Sequence, residues 1–264
     1  MLKKLIIFYF ISSVFSIFSQ SSSDVADLAK KLANPIANMI SVPFQNNLDM
    51  GIGQNNATRF TMNFQPVIPF SIGTKFNLIT RTILPIINQN HITGYNQKQL
   101  GVSDATISTF LSPKNTKNGL TFGIGTILLL PTGTDKFLSS EKIGVGPSLV
   151  FLKQSHGWTF GALANQIWSI AGKVERANIN QLFFQPFFTH NWKSGAGLGG
   201  NFEFTKNWES NTSVLWFNPT ISGITSIGKQ KTQLLFGPRF NLLAPTGSIA
   251  DFGIRGSVVL LFTK

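Results

Sequence analysis

The sequence predicts an all-β fold: a transmembrane antiparallel up-and-down β-barrel of about twelve strands, preceded by a short N-terminal amphipathic helix. Three observations carry this. Apolar and polar residues alternate with period two from residue 42 to the end of the chain. Of the 264 residues, 42% are hydrophobic and only 12% charged, about half the charged fraction of an ordinary water-soluble domain, so something other than water covers much of the surface. Finally, the connections between the alternating stretches are short and long in turn, as in outer-membrane barrels. Beyond the N-terminus, Lys, Asn, Gln or Gly interrupts every apolar run within roughly 18 residues, too soon for a membrane-spanning helix.

Taken in order, Lys3 and Lys4, the apolar stretch 5–18 and the Ser-rich stretch 19–23 read as a cleaved secretory signal. An uncleaved anchor helix is the alternative. The expected division is a signal peptide at 1–19, a linker with the short helix at 20–41, and the outer-membrane barrel at 42–264. Within 24–34, Val25, Leu28, Ala29 and Leu32 share one helical face, Lys30 and Lys31 lie on another, and Pro35 ends the pattern. Such a helix either plugs the lumen or lies on the periplasmic rim, and the sequence leaves both open.

Strands are expected near 42–53, 57–70, 74–87, 102–112, 119–130, 143–153, 157–168, 179–190, 196–206, 213–227, 231–242 and 251–263. The second shows the alternation most clearly. Phe60, Met62, Phe64, Pro66, Ile68 and Phe70 form one face, with Arg59, Thr61, Asn63 and Gln65 between them. In the last, Phe252, Ile254, Val258, Leu260 and Phe262 stand against Asp251, Arg255, Ser257 and Thr263. The connections at 71–73, 113–118, 154–156, 191–195 and 228–230 are brief. Those at 88–101, 131–142, 169–178 and 243–250 are longer, while 54–56 and 207–212 are short for their side. A soluble β-sandwich explains the alternation, but neither the asymmetry of the connections nor the scarcity of charge.

Trp158, Trp168, Trp192, Trp208 and Trp216 fall at or near expected strand ends, where interfacial girdles sit. The chain has no cysteine, which excludes disulfides and cysteine-based metal or redox chemistry. Its formal charge of +12, lowered by two when Lys3 and Lys4 leave with the signal, is scattered through turns. That distribution points away from nucleic acid and toward lipopolysaccharide or anionic solutes.

The stretch 32–53, LANPIANMISVPFQNNLDMGIG, with TRFTMNFQPVIPF and NLITRTILPII after it, resembles the bacterial family labelled "MetA-pathway of phenol degradation", whose members are often named neuromedin U or transporter. The resemblance continues through FLSPK at 110–114, LLLPTGTD at 128–135, SEKIGVGPS at 140–148, GALANQIWSIAG at 161–172, QPF at 185–187 and IGKQ at 227–230. It implies an outer-membrane barrel with uptake of aromatic or other small organic compounds. It implies no peptide-hormone function. Such barrels commonly end on an aromatic residue for the assembly machinery, whereas this chain ends Phe262-Thr263-Lys264.

Projecting the alternation inward places Asp49, Arg59, Arg81, Asp104, Glu203, Arg239 and Arg255 on the lumen side. Among the amides it places Asn47, Asn63, Gln65, Gln181, Gln185 and Asn201 there. A charge facing hydrocarbon at mid-bilayer costs roughly 2–4 kcal/mol for Arg or Lys, so inward charges follow from the membrane alone. They read either as ion pairs bracing a narrow lumen or as a solute filter. Closure of the first strand on the last brings Asp49 toward Arg255, with Arg239 one strand further on.

A barrel lipid hydrolase would need serine beside histidine. Of His91, His156 and His190, only His190 is expected on a strand, and no Gly-x-Ser-x-Gly pattern occurs. No metal-ligand spacing and no cofactor motif is present, and the glycines at 123, 125, 144 and 146 fit barrel curvature or approach of a plug. The expected function is passive uptake of small solutes through the outer membrane of a Gram-negative bacterium after export through the periplasm, without enzymatic activity. A purely structural or adhesive barrel is the alternative. Expected partners are outer-membrane lipid and lipopolysaccharide, the barrel assembly machinery and a small-molecule solute.

Overall fold

Hydrogen bonding accounts for the architecture. A chain segment in hydrocarbon has to satisfy its peptide groups internally, and strands do so only if the sheet closes. The computed structural model describes residues 22–115 and 118–262; the expected signal at 1–19 lies outside them. One helix, α1 (Ser22–Leu32), precedes strands β1 (Ile40–Ile52), β2 (Ala57–Phe64), β3 (Val67–Ile72), β4 (Phe76–Asn90), β5 (Lys98–Val102), β6 (Ala105–Pro113) and β7 (Leu120–Leu130). These are followed by β8 (Lys142–Ser155), β9 (Trp158–Gly172), β10 (Asn180–Asn191), β11 (Gly197–Asn207), β12 (Thr212–Ile227), β13 (Gln230–Leu243) and β14 (Phe252–Phe262). All pairings are antiparallel, and β1 pairs β14 from Ile40 opposite Phe262 to Met50 opposite Phe252, which closes the sheet.

The closed barrel has 12 strands, because two of its staves are interrupted. β2 and β3 both pair β4 and are separated by Gln65 and Pro66; Pro66 lacks an N–H for the ladder. β5 and β6 also both pair β4, separated by Ser103 and Asp104. Expected boundaries shift accordingly. β4 runs on to Asn90 and pairs β5, so the long connection expected at 88–101 shrinks to 91–97.

Hairpins at one end of the barrel, the turn end, are tight. Between β8 and β9 only His156 (φ 49°) and Gly157 (φ 82°) intervene, both left-handed, as a two-residue turn matched to strand twist requires. The other end, the loop end, carries the connections 91–97, 131–141, 173–179 and 244–251. Outward-facing Phe70, Phe122, Phe151, Phe160 and Phe236 are half or more exposed, a surface suited to lipid and not to water. Trp158 and Trp192 stand exposed at the turn end, and Trp168 and Trp208 at the loop end, as two girdles. Trp216 departs from the girdle expectation: it faces the lumen, because Leu215 and Phe217 on either side of it take the outward positions.

The N-terminal segment lies inside the turn end of the barrel, which decides between plug and rim. Val25, Leu28 and Ala29 of α1, with Leu32 against them, pack on the inward Ile224, Val259 and Leu261, together with Met39. Ile36 goes deeper, into an apolar cluster of Ile79, Phe110, Val150, Leu152 and Leu163. A Cβ on Gly123 would come within 3.1 Å of Ile36 Cδ1, so glycine lets the plug reach the wall there. Asn191 Nδ2 and Gln154 Nε2 donate to the carbonyls of Ala29 and Lys30 at 3.2 and 2.8 Å, tying the end of the helix to two hairpins.

Closed barrels resist detergent at room temperature. Unboiled protein is therefore expected to run distinctly faster on a denaturing gel than boiled protein; identical mobility would contradict closure through β1 and β14.

Candidate functional site

Above the plug, the lumen widens into a chamber of about 440 Å³, the size of a small-molecule site. It continues at the loop end into a vestibule of about 370 Å³ that shares Asp49, Arg59 and Trp216 with it. Toward the turn end it continues into a pass of about 180 Å³ that shares Gln65 and Arg81. One side of that pass is the linker after α1, including Asn34, Pro35 and Ala37.

Eleven of the thirteen lumen residues read from the sequence line this chamber: Asp49, Arg59, Asn63, Gln65, Arg81, Gln185, Glu203, Arg239 and Arg255, with Asn47 and Gln181. Asn201, also read as inward, accepts a hydrogen bond from Asn218 at 2.8 Å. Asp104 is the correction. It sits in the break between β5 and β6, where the two-residue interruption releases it from the strand alternation. Its carboxylate accepts from Gly133 N at 3.1 Å, Ser139 Oγ at 2.6 Å and Ser140 N at 2.6 Å, and so anchors the 131–141 loop.

Glu203 organises the chamber. Arg255 grips it with two nitrogens, Nη1 at 2.9 Å and Nη2 at 3.2 Å, while Arg255 Nε donates to Asn47 Oδ1 at 2.8 Å. Gln185 Nε2 donates to Glu203 at 3.4 Å, and Arg239 Nη2 lies 3.8 Å from its other oxygen. Arg239 also pairs with Asp49 at 3.4 Å and lies 4.3 Å from the centroid of the Trp216 ring. Asn47 stands directly opposite Arg255 and Asp49 two residues along, in the neighbourhood expected for it, while the ion pair of Asp49 is made with Arg239, across a whole strand. Asp49, Gly253 and Arg239 lie in one row across β1, β14 and β13. A Cβ on Gly253 would meet Asp49 Oδ1 at 2.8 Å and Arg239 Cβ at 2.9 Å. Glycine there keeps the row open, a role sequence reading missed because nothing marks that glycine until the register is known.

The remaining two arginines are held by amides instead of carboxylates. Arg59 Nε donates to Gln89 Oε1 at 2.9 Å; Gln89 in turn donates to Gln99 at 3.0 Å and Gln99 to Thr93 at 2.8 Å. Arg81 Nη2 donates to Gln65 Oε1 at 2.7 Å. Among the described residues no carboxylate lies within ion-pair distance of Arg59 or Arg81.

No histidine lines the chamber, and His91 lines the vestibule. His190 stands between Trp158 and Trp192, ring centroids 4.7 and 4.9 Å away. His156 Nδ1 is 2.7 Å from Ser155 Oγ, but the two are chain neighbours in an exposed turn, and no carboxylate hydrogen-bonds the ring among the described residues.

No family profile and no curated protein matches the chain, so the resemblance to the phenol-degradation family gains no support from them. Solved structures do match. The crystal structure of an outer membrane channel from Pseudomonas putida F1 superposes with a TM-score of 0.66 at 15% identity, covering 85% of this chain and 94% of that one. The two chains share a fold. Outer membrane phospholipase A from Escherichia coli matches at a TM-score of 0.45 and 9% identity, over 92% of this chain and 99% of that one.

Replacing Glu203 by Gln leaves Arg255 and Arg239 without their shared carboxylate; stability is expected to fall by about 3 kcal/mol, measured by urea unfolding in lipid vesicles. At the loop end, Glu141 receives Lys173 Nζ at 2.8 Å and pairs with Arg176 at 3.4 Å. The Lys173 hydrogen bond, together with the charges of Lys173 and Arg176, holds the Glu141 carboxyl below the usual carboxylate range. A depressed acid contributes order at pH above its unfolded value and loses it as pH falls through the folded one. Protection of the 131–141 amides from hydrogen exchange is therefore expected to persist at neutral pH and to drop below the ordinary carboxylate range. Lys173→Met is expected to move that drop to higher pH.

Proposed function

We propose that this protein is an outer-membrane channel, or facilitator, for passive uptake of small organic solutes, with its turn end and plug in the periplasm. One observation carries the reading: vestibule, chamber and pass adjoin one another through shared lining residues, from the loop end to the linker beside the plug. The channel reported for the structurally similar protein from Pseudomonas putida F1 is consistent with it. The resemblance to the phenol-degradation family points toward aromatic or other organic compounds. Channel width supports selective uptake over general sieving, since a barrel of this strand number has little room once side chains line it.

The plug makes the reading testable. Reconstituted in planar bilayers, the full mature chain is expected to give small, discrete conductance steps. Removal of residues through 36 withdraws both α1 and Ile36, and conductance is expected to rise several-fold as the turn end opens. A protein that shows the heat-modifiable shift yet passes no ion or solute with or without its plug would exclude a channel and leave a structural or adhesive barrel.

A further inference from the structure

We infer that the chamber holds a binding site for small organic anions, molecules with a carboxylate head and an apolar body. This rests on the proposed function and names the class of solute.

The charge balance gives the sign. Four arginines line the chamber against two carboxylates. Glu203 and Asp49 are already engaged by Arg255 and Arg239. The surplus positive charge therefore resides on Arg59 and Arg81, whose hydrogen-bond partners, Gln89 and Gln65, are neutral. An amide oxygen fixes a guanidinium in place without cancelling its charge, and each guanidinium has further N–H groups in a planar fork that suits a carboxylate. The arginine side chain carries its charge in proteins. Low-dielectric walls around a narrow aqueous space strengthen the attraction for an anion.

Position makes the two residues a route. Arg59 belongs to both vestibule and chamber, and Arg81 to both chamber and pass. An anion entering at the loop end meets Arg59 first and Arg81 last. Between the two gates the Glu203 cluster supplies hydrogen-bonding groups without surplus charge.

The rest of the wall gives the body of the solute. Ile83, Ile127, Leu163, Ile167 and Phe183 line the same chamber, which is more apolar surface than an inorganic ion needs. A bare chloride or phosphate would leave those side chains against water, whereas a phenyl or short alkyl body removes that surface from it. Head and body are thus both specified: guanidinium for the carboxylate, aliphatic and aromatic side chains for the remainder.

The test uses purified, refolded, full-length mature protein and the probes 3-phenylpropionate, 3-phenylpropan-1-ol and acetate. By calorimetry, 3-phenylpropionate is expected to bind at least about tenfold more tightly than the alcohol, which lacks the charge, or acetate, which lacks the body. Its affinity is expected to fall as salt rises. Gln89→Glu and Gln65→Glu neutralise the two arginines where they stand, without removing either side chain. Each is expected to weaken 3-phenylpropionate about tenfold, and Arg59→Gln with Arg81→Gln is expected to abolish binding, while the heat-modifiable shift is retained. In a bilayer with a potassium chloride gradient, the reversal potential is expected to take the anion-selective sign and to move toward zero in the double glutamate variant. Equal affinity for acid and alcohol, or binding untouched by the neutralising variants, would overturn the anion site even in a conducting barrel. Charge-dependent binding in a protein that conducts nothing would uphold the site and remove the channel.

Discussion

Everything in this molecule follows from the absence of hydrogen-bond partners in hydrocarbon. An unpaired peptide group costs several kcal/mol there, so a sheet placed in lipid has to leave no edge. The antiparallel register of β1 on β14, held over Ile40 to Met50, removes that edge. With closure fixed, side chains have only two directions available. Phenylalanines such as Phe122, Phe151 and Phe160 take the outward one, and the interior receives Asp49, Arg59, Arg81, Glu203, Arg239 and Arg255. The polar lumen is thus a by-product of the wall before it is a device of any kind.

A closed wall this narrow then has to be filled, and it is filled unevenly. Near the turns, apolar side chains of the wall meet α1 and Ile36 in two clusters that resemble the core of a soluble domain. Toward the loops the filling is ionic and polar. The two halves rest on different forces: the lower on burial of apolar area, the upper on paired charges, with Glu203 shared between two guanidinium groups. The boundary between them coincides with Arg81 and Gln65, where the pass begins.

Period-two patterning made the staves legible because lipid outside and water inside leave each position one acceptable side. The inward set was legible for the same reason, from Asp49 to Arg255. Asp104 was not, since it lies within a two-residue break in its stave, where alternation does not set the direction of a side chain. Trp216 was misread as interfacial: its residue type argues for the girdle, but its parity, between Leu215 and Phe217, argues for the lumen, and parity decides. The position of α1 was closed to the sequence altogether, because an amphipathic face packs equally well on a rim or in a bore. Pairings across three strands depend on register, which alternation alone does not specify.

The row Asp49, Gly253, Arg239 has a consequence for the alignment of β14. The C-terminal strand, β14, contributes only a hydrogen atom at the place where its two neighbours reach across to each other. Slipping β14 by one residue would swing Phe252 or Ile254 into that gap, and slipping it by two would bring in Asp251 or Arg255, doubling a charge already present. Correct alignment alone lets the acid of the first strand touch the base of the thirteenth. The ion pair is thereby compatible only with the observed register of a strand to which neither of its members belongs.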